Sequence, residues 1–556
     1  MTATTSAGGD AVEKPVSVHP DGEEIAETVN KVFSGDAVLE LTVPANAIPG
    51  SARAELKIYP NLLAQVIDSI EGILQRPYGC AEQAISAAYP NLIFLRYLQR
   101  MAKGDHPLQA KARRNLQLGV DMLLGYQAPV GGFSYWGRGD ADPSLTAYAV
   151  SFLKDAREFV TMDDQLVKNS QDWLIRQQDQ RGSWPAYDWK KQRDERRTVY
   201  QTAFIAMTLS GEDAHQGVTK AIEYLAQRSG QYDEPYAIAA LALAALHTED
   251  SAVSAKALQR LRNLARTEAG STYWNLETNT PFYGWGLAGR LETSALAVQA
   301  LAEGGNPGDK LMLDGGMLFL LRNKDRFGVW HSTQATVRVL QAILAAAQPA
   351  AMGGNGGFLD VMVDGQAVPR VTMPPGSEIT GPIRIGLASV LSSGKHLITL
   401  RAPGMLSQAQ AQLSASYYVP WTMRPPAGPD LLRLKVNFDK SNAKIGETDA
   451  CRVDVERVGF RGYGMMVAEI GLPPGADVDR LSLDSAVAAS GFTLSHYDIL
   501  PDRIVAYLWP RAGGTGFSFN FRPRFAMKAK SAPSLLYDYC NPDARTVVAP
   551  AMFRVQ

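Results

Sequence analysis

A block of helical segments flanked by strand-like sequence most constrains the fold of this chain. From about residue 60 to 348, apolar residues recur at three- and four-residue spacing, which predicts about a dozen amphipathic helices. A Gly-aromatic loop followed by a Thr- or Ser-rich helix start recurs in the block, at 125–150, 176–207 and 321–340, and more loosely at 274–298. Paired consecutively, the helices form about six hairpins, and the recurrence predicts a closed ring whose inner helices begin at one rim.

Strand-like segments lie on both sides of this block. Residues 36–58 alternate apolar and polar side chains and predict two strands joined by a turn. The alternation returns at 355–422 and continues over 428–556, where the turns indicate a β-sandwich and 477–490 a short helix. The predicted fold class is multidomain α and β: an α/α toroid of six helical hairpins inserted in a β domain, followed by a C-terminal β-sandwich. The predicted divisions are a lead-in over 1–34, a split β domain over 35–59 and 351–424, the toroid over 60–350 and the sandwich over 425–556.

Composition argues against several classes of function. The formal net charge is −1 and the charged fraction is 20%, so the chain offers no basic field for nucleic acid or an anionic membrane. No apolar run approaches the ~20 residues of a membrane span, so direct membrane insertion is not expected. The polar N-terminal stretch lacks the apolar core of a secretory signal, and we expect Met1 to lie within a longer protein.

The chain has three cysteines, Cys80, Cys451 and Cys540. In an exported protein, a disulfide between Cys451 and Cys540 would leave Cys80 over. Two buried free thiols on strands are an equally good interpretation of that pair, since unpaired cysteine packs as a small hydrophobic residue. Cys80 differs from both, because it lies at the predicted start of a long helix.

Cys80 has a glutamine three residues further along, Gln83. If the helix begins near Cys80, the two side chains are neighbours on one face. A thiol beside a carboxamide can close an intrachain thioester with loss of ammonia, which leaves an acyl carbon open to nucleophiles. The free N–H groups of a helix N-terminus would favour the thiolate as leaving group. From these residues alone, a small buried cysteine or a reactive thiol of another enzyme remains open as well.

The stretch PYGCAEQ, from Pro77 to Gln83, resembles the thioester region of the α2-macroglobulin and complement thioester-protein family. Cys80, Ala81, Glu82 and Gln83 match the Cys-x-Glu-Gln tetrapeptide of that family. DPSLTAYAVSFL and GVWHSTQATVRVLQAIL are similar to helices of its thioester domain, an α/α ring. LSASYYVPW is similar to the end of its CUB domain, and MMVAEIGLPPGADVDRL to its C-terminal macroglobulin domain. The chain therefore resembles the C-terminal portion of a longer, bacterial member of the family.

The resemblance implies a broad-spectrum endopeptidase inhibitor, a protease trap that acts once and has no catalytic turnover. In the family, a protease cuts a bait region, the thioester is exposed, and an amine attacks the carbonyl carbon that matches Gln83. The implied partners are target proteases, attached through Lys amines, and the upstream macroglobulin domains of the full-length protein. No cofactor or metal is implied. The bacterial relatives are periplasmic, so a periplasmic or extracellular location is expected.

The resemblance also assigns supporting roles around the motif. Pro77 and Gly79 are expected to shape the entry into the helix, Glu82 completes the motif, and Tyr78 is expected to cover the bond. Four further aromatic residues near the rim of the ring are candidates for shielding the thioester from water, with ordinary packing as the alternative for each. They are Tyr135, Trp136, Trp184 and Tyr187.

Nucleophile preference follows from a loop of the ring. Some complement-type members place a His there, which diverts reactivity from amines to hydroxyl groups. The matching loop, 181–203, contains no His, so the resemblance implies an amine-reactive thioester. His106 and His331 lie near loops or helix starts of the ring, where a structural role is the alternative to a role in the site. The charged run at 190–197 is interpreted as solvated surface, or else as a contact that keeps the site closed.

Two other functions remain open from the sequence. The first is a true enzyme on an α/α toroid, because QQDQRGSW at 177–184 is reminiscent of terpene cyclases and prenyltransferases. Such enzymes need an Asp-rich motif or a Cys/His/Asp zinc set, and neither is evident here. The second is a non-reactive interaction module in which Cys80 and Gln83 never close a thioester.

Overall fold

The computed structural model begins with strands that precede the helical block. It describes residues 2–5, 8–11, 19–73, 80–100, 107–187, 191–211, 216–228, 230–276, 278–346, 356–368, 370–375, 381–387, 391–402, 409–423, 431–458, 464–511, 513–539, 542 and 544–556. The first strands are β1 (Thr2–Thr5), β2 (Gly8–Ala11), β3 (Gly22–Phe33), β4 (Ala37–Val43) and β5 (Arg53–Tyr59). β1 and β2 pair with each other as a hairpin, and β3 to β5 enter the sheets of a β domain.

Twelve helices follow in the described part of the block. They are α1 (Leu62–Ile73), α2 (Ala81–Arg100), α3 (Pro107–Leu124), α4 (Pro143–Ala156), α5 (Asp164–Arg176), α6 (Glu195–Leu209), α7 (Gln216–Arg228), α8 (Pro235–His247), α9 (Ser251–Leu264), α10 (Gly286–Glu303), α11 (Lys310–Arg322) and α12 (Thr333–Ala346). Each even-numbered helix packs on the next, and α12 packs back on α2, which closes an inner ring of six helices. The odd-numbered helices pack outside this ring. The predicted α/α toroid is confirmed.

The recurring Gly-aromatic loops are explained by one repeated set of hydrogen bonds. Trp184, Trp274 and Trp330 are fully buried, and each indole Nε1 donates to a carbonyl near the end of the preceding outer helix, at 2.6–2.8 Å. Their backbone N–H groups donate to a Thr or Ser hydroxyl of the following inner helix, at 2.9–3.0 Å. One Trp therefore ties an outer helix to an inner helix, which explains why a Thr or Ser of the inner helix accompanies it. The loops also carry the hairpins β6 (Ala186–Tyr187) with β7 (Arg193–Asp194) and β8 (Arg266–Glu268) with β9 (Ser271–Tyr273).

The toroid is inserted between strands of one β domain. After α12 the chain forms β10 (Gly357–Val363), β11 (Gln366–Ala367), β12 (Val371–Met373), β13 (Ile383–Gly386), β14 (Gly394–Arg401) and β15 (Ala409–Pro420). One sheet has the order β11-β10-β14-β4, with β12 also on β10, and the other has the order β13-β5-β15-β3. The strands β4 and β5 thus pair with strands from beyond the toroid, and the apolar faces of the two sheets pack together as a sandwich.

The interpretation of residues 1–34 as an irregular lead-in is wrong, because β1 and β2 form a hairpin and β3 belongs to a sheet of the β domain. Strand β3 pairs with β15 over twelve residues, from Gly22 opposite Pro420 to Phe33 opposite Ala409. Most of its side chains are only half-buried, because it is the edge strand of its sheet and lies against α11. An edge strand without strict alternation of apolar residues gives little signal in the sequence.

A buried ionic cluster joins the toroid to the β domain. Asp68 of α1 lies 3.1 Å from Nζ of Lys57, 3.2 Å from Nζ of Lys324 and 2.9 Å from Nη2 of Arg384, and the Tyr59 hydroxyl donates to it at 2.7 Å. Burial alone would raise the pKa of Asp68, but Lys324 and Lys57 outweigh burial and lower the pKa. One ionised carboxylate of the toroid therefore holds cations from both domains. We refer to these five residues as the ionic cluster.

The C-terminal region is a β-sandwich with one helix. Its elements are β16 (Leu432–Phe438), β17 (Asn442–Ala443), β18 (Asp449–Arg457), β19 (Met466–Gly471), β20 (Ala476–Val478), α13 (Arg480–Ala489), β21 (Leu494–Ile499), β22 (Arg503–Leu508), β23 (Thr515–Pro523), β24 (Met527–Lys530), β25 (Ser534–Asp538), β26 (Arg545–Val548) and β27 (Met552–Val555). The sheets β16-β18-β23-β20 and β21-β22-β19-β25-β26 enclose its core, and β17-β27-β24 form a third sheet. Cys451 is a buried thiol in this core, and its predicted partner Cys540 lies outside the described residues.

None of the helices in the described ranges combines the length and the apolar character of a membrane span.

Candidate functional site

Cys80 is the N-cap residue of α2, and the side chain of Gln83 folds back towards it. The first helical bond runs from the N–H of Ala84 to the carbonyl of Cys80, at 3.0 Å. Oε1 of Gln83 accepts a hydrogen bond from the N–H of Cys80 at 3.2 Å, as the third helical residue does in a capping box. Both residues are buried. The i, i+3 spacing therefore brings the Gln83 carboxamide to the residue that carries the thiol.

The Cys80 thiol is held in its neutral form. Burial raises its pKa to about 12, and the charge of Glu82 adds to the rise. The backbone N–H of Gln83 and the hydroxyl of Tyr539 oppose this rise without overcoming it. The N–H groups of the helix N-terminus therefore act in the predicted direction and lower the pKa, but burial outweighs them. Exclusion of water destabilises the anion more than the N–H groups stabilise it.

The Glu82 side chain reaches into the inner ring and is 2% exposed. Its Oε1 accepts hydrogen bonds from the Ser86 hydroxyl at 2.7 Å, the Thr333 hydroxyl at 2.9 Å and Nε2 of Gln334 at 2.9 Å. Thr333 and Gln334 begin α12, so this carboxylate fastens the start of α2 to the neighbouring inner helix. Glu82 thus fixes the helix end that presents Cys80 and Gln83.

The C-terminal sandwich covers this helix end with Tyr539. The Tyr539 hydroxyl donates to Oε2 of Glu82 at 2.9 Å and lies 3.8 Å from Sγ of Cys80. The backbone N–H of Tyr539 donates to the carbonyl of Met465, and both residues sit in the aromatic part of the sandwich that meets the toroid. A residue more than 450 positions away in the chain is therefore in contact with the Cys80 sulfur.

Aromatic rings form most of the contact between the toroid and the sandwich. Trp136 stacks on His496, with ring centroids 4.5 Å apart, and meets Tyr507 edge-on at 5.0 Å. The ring of Trp509 meets the edges of Tyr135 at 6.4 Å and of Tyr283 at 5.5 Å. We call this the aromatic interface. The carbonyl of Tyr135 also accepts the N–H of Ala81, which joins the interface directly to the start of α2.

The predicted supporting residues divide into three groups. Tyr135 and Trp136 lie beside the site, as described above. Trp184 and Tyr187 do not shield it: Trp184 is part of the toroid core through its repeated hydrogen bonds, and Tyr187 is 55% exposed. The third group, which lies outside the described residues, consists of Pro77, Tyr78, Gly79 and His106.

The sequence did not point to the residues that the sandwich contributes. Tyr539, Trp509 and Met465 approach the site from loops and strand ends of a different domain. Their segments are recognisable as part of the C-terminal domain, but no spacing relates them to Cys80. Only an expectation of how the two domains dock would have found them.

A small cavity lies at the mouth of the toroid beside the site. It has a volume of about 20 Å³, room for one or two water molecules. The toroid contributes one wall and the sandwich the other, and the lining residues are Glu82, Tyr135, Phe282, Tyr283, Gly284, Glu292, Ser332, Thr333, Gln334, Met465, Trp509 and Tyr539. Burial raises the pKa of Glu292 to about 7, against the opposing charge of Arg338.

The other residues singled out in the sequence take up structural positions. His331 lies directly before three cavity-lining residues, with its backbone in the left-handed region at φ 55°. In the charged run, Arg193 pairs with Asp179 and Arg196 with Glu234, both within the toroid. The described residues contain no group of three or more His, Cys, Asp or Glu side chains placed to hold a metal ion.

Comparison with known proteins agrees with this architecture. The model of the A-macroglobulin TED domain matches residues 54–345, and that of the A-macroglobulin receptor binding domain matches 462–549. Thioester-containing protein 1 allele R1 of Anopheles gambiae is 25% identical over 355 residues, which are 61% of this chain and 26% of that protein. The chain thus spans about a quarter of the length of such relatives.

Solved structures share the fold. Native α2-macroglobulin of Escherichia coli, from domain MG7 to the C-terminus, has a TM-score of 0.69 at 18% identity, covering 96% of this chain and 82% of that one. Salmonella α2-macroglobulin reacted with methylamine has a TM-score of 0.70 at 18% identity, covering 96% of this chain and 34% of that one. Because the TED model matches more than half of the residues, the chain belongs to the A-macroglobulin family.

Proposed function

We propose that Cys80 and Gln83 close an intrachain thioester, and that this chain is the thioester-bearing part of a protease trap. The observation that carries the proposal is the geometry at the start of α2. The Gln83 carboxamide folds back on the residue that bears the thiol, and the sandwich seals the sulfur from water. A capping box alone would use the same hydrogen bond, so the chemistry has to be tested directly.

Closure of the thioester needs only the two side chains. The Cys80 sulfur adds to the carboxamide carbon of Gln83, and the C–N bond breaks. Ammonia leaves with the thiol proton, and a C–S bond takes the place of the C–N bond. Family membership supports this step, since the Cys-x-Glu-Gln tetrapeptide lies within the matched TED region.

Attack by an amine breaks the C–S bond that closure forms. The amine nitrogen adds to the Gln83 acyl carbon, the C–S bond breaks, and the thiolate takes the proton that the nitrogen loses. The N–H of Cys80, which lies 3.2 Å from Oε1, would stabilise the negative charge that develops on that oxygen. The product is an amide at Gln83 and a free thiol at Cys80.

The closed arrangement would hold the bond in reserve. Tyr539 lies over the sulfur and keeps water from the bond. Burial also disfavours the Cys80 thiolate, so its departure as leaving group is unfavourable. Cleavage of a bait region in upstream macroglobulin domains would move the sandwich away and expose the acyl carbon. A Lys amine of the attacking protease would then be captured, once per molecule. We place this activity in the periplasm or outside the cell.

We also propose that the thioester prefers amines to hydroxyl groups. The loop at 181–203 carries no histidine, and its Arg197 lies over the ring of Tyr283 at 5.4 Å, beside the cavity. A permanently charged guanidinium cannot act as the base that a hydroxyl nucleophile would need. Competition between methylamine and glycerol for the acyl group measures this preference.

The proposal is tested by treating unheated protein with methylamine. The expected result is one new thiol at Cys80 and one methylamide at Gln83, both located by peptide mapping. Cys80→Ala should abolish the uptake, whereas Cys451→Ala should take up methylamine as wild type does. Absence of methylamide from wild-type Gln83 contradicts the proposal.

A further inference from the structure

The cavity beside Cys80 and Gln83 is lined with acceptors and aromatic rings. Two carboxylates, Glu82 and Glu292, belong to its walls, and neither is more than 2% exposed. Five aromatic side chains complete the lining, namely Tyr135, Phe282, Tyr283, Trp509 and Tyr539. Carboxylates beside aromatic faces attract cations, and a primary ammonium is the smallest organic cation with several N–H donors.

Two buried acceptors in this lining are unsatisfied. Oε1 of Glu292 and Oε1 of Gln334 have no hydrogen bond of good geometry within the part of the chain that the structure describes, and the Tyr236 hydroxyl, the neighbour that lowers the pKa of Glu292, is likewise without one. Glu292 is 1% exposed and Gln334 is 4% exposed. Buried acceptors without a donor are uncommon and destabilising. The cavity thus has the right polarity for a molecule that brings N–H donors and positive charge.

A third acceptor becomes unsatisfied when the sandwich moves. The three donors to Oε1 of Glu82 belong to the toroid, but Tyr539 of the sandwich donates to Oε2. That hydroxyl lies 2.9 Å from Oε2 of Glu82 and 3.8 Å from Sγ of Cys80. A nitrogen in its place would be hydrogen-bonded to Glu82 and beside the thioester sulfur.

We propose that Glu82 and Glu292 form an ammonium subsite, which takes the primary amine that attacks the acyl group of Gln83. The proposal rests on the thioester proposed above. Glu82 replaces its bond to Tyr539 with a bond to the incoming ammonium, and the aromatic rings of the toroid wall surround the cation. Recognition of a charged amine, such as a lysine side chain, is then built into the toroid.

Glu292 supplies the base in this subsite. The ammonium gives one proton to the Glu292 carboxylate, and the free amine adds to the Gln83 acyl carbon. The C–S bond breaks, and the second proton of the nitrogen passes to the Cys80 thiolate. Because burial raises the pKa of Glu292 to about 7, its carboxylate is a suitable acceptor near neutral pH. Ammonia released during thioester formation would leave through the same subsite.

The test compares a charged nucleophile with an uncharged one in the full chain. Methylamine is a cation at neutral pH, whereas hydroxylamine is neutral. Movement of the sandwich away from the toroid gives both nucleophiles the same access to the acyl carbon. Thiol release is measured with each in wild type, Glu292→Gln and Glu82→Gln. We expect either variant to slow methylamine about tenfold or more relative to hydroxylamine. Glu234→Gln, a buried carboxylate outside the cavity, should leave the ratio unchanged.

Intact mass separates the two proposals. Each protein is first weighed, and a wild type that is not one ammonia short of its sequence mass contradicts the thioester itself. If the wild type carries the thioester and both Gln variants keep the wild-type ratio of rates, the subsite is wrong. Where a Gln variant does not form the bond, Gly284→Ala is used. Its Cβ would lie 2.9 Å from Oε2 of Glu292, and it should slow methylamine more than hydroxylamine. An unchanged ratio in Gly284→Ala also contradicts the subsite.

Discussion

The toroid is held by two interfaces of opposite chemistry. On the side of the split β domain, the ionic cluster buries one carboxylate among three cations, and Asn30 of β3 donates to the carbonyls of Arg322 and Lys324. On the side of the C-terminal sandwich, the aromatic interface has ring contacts, and the Tyr539 hydroxyl bonds Glu82 near the site.

The difference bears on which interface would open in the activation proposed above. Breaking the ionic cluster would leave charges uncompensated in a buried place, whereas parting two aromatic surfaces loses apolar burial but leaves no buried charge without a counter-charge. The β domain therefore serves as the fixed support of the toroid and the sandwich as its lid. Cys80 and Gln83 lie under the lid, and none of the five residues of the ionic cluster lines the cavity beside them, so opening need not disturb the support.

The largest effect should come from removing the carboxylate of the support. Asp68→Ala leaves Lys57, Lys324 and Arg384 without their shared counter-charge, and we expect a loss of about 3–5 kcal/mol in stability. Thermal unfolding followed by circular dichroism measures it. Glu55→Gln, which removes only a 40% exposed partner of Arg384, is the control and should change stability by less than about 1 kcal/mol. Equal losses in the two variants would contradict the fixed-support interpretation.

The second effect concerns pH on the lid side. Glu292 keeps its proton up to about pH 7 in the folded state, and its ordinary pKa is 4.5. Its contribution to stability is therefore complete below pH 4.5 and is lost as pH rises towards 7, by up to about 3 kcal/mol. Glu292→Gln should remove this part of the pH dependence. Parallel melting curves of wild type and variant between pH 5 and 8 would show that the carboxyl is not perturbed.

A smaller effect should come from the hydroxyl of the lid. Tyr539→Phe keeps the ring over Cys80 but removes the hydrogen bond to Glu82, a loss of about 1–3 kcal/mol at a buried carboxylate. We expect the lid to open more often and methylamine to release the thiol about tenfold faster. Tyr537→Phe, whose hydroxyl bonds Glu469 within the sandwich, is the matched control. The account fails here if Tyr539→Phe reacts at the wild-type rate.

The smallest effect is expected at the rim. Tyr187→Ala removes an exposed ring that the sequence suggested as a shield, and stability should stay within about 0.5 kcal/mol of wild type. The rate of methylamine uptake should also be unchanged. A faster uptake would restore Tyr187 as part of the shield and weaken the contrast between rim and lid.

Local patterns in the sequence predicted the local structure. The helical periodicity gave the toroid, and the spacing of Cys80 and Gln83 gave a pair that meets through the first turn of α2. The Gly-aromatic repeat was visible in the sequence, but its cause was not. The Trp of the repeat, as at Trp184, ties two helices together and does not shield the site.

Features that depend on distant contacts were not predictable in this way. Strand β3 is recognisable only through its partner β15, which lies beyond the toroid in the chain. Tyr539 reaches Cys80 through domain docking, and burial outweighs the predicted effect of the helix N-terminus on the pKa of the thiol. Burial raises the pKa of Cys80, and the sandwich takes part in that burial through Tyr539. No spacing within 77–83 carries that information.

The intact mass of freshly purified, unheated protein tests the central claim most directly. A Cys80–Gln83 thioester predicts a mass one ammonia below that of the sequence, and a return to the sequence mass plus one methylamine minus one ammonia after treatment. Cys80→Ala should show its full sequence mass throughout. A wild-type protein with its full sequence mass and a titratable Cys80 thiol before any treatment would contradict the account.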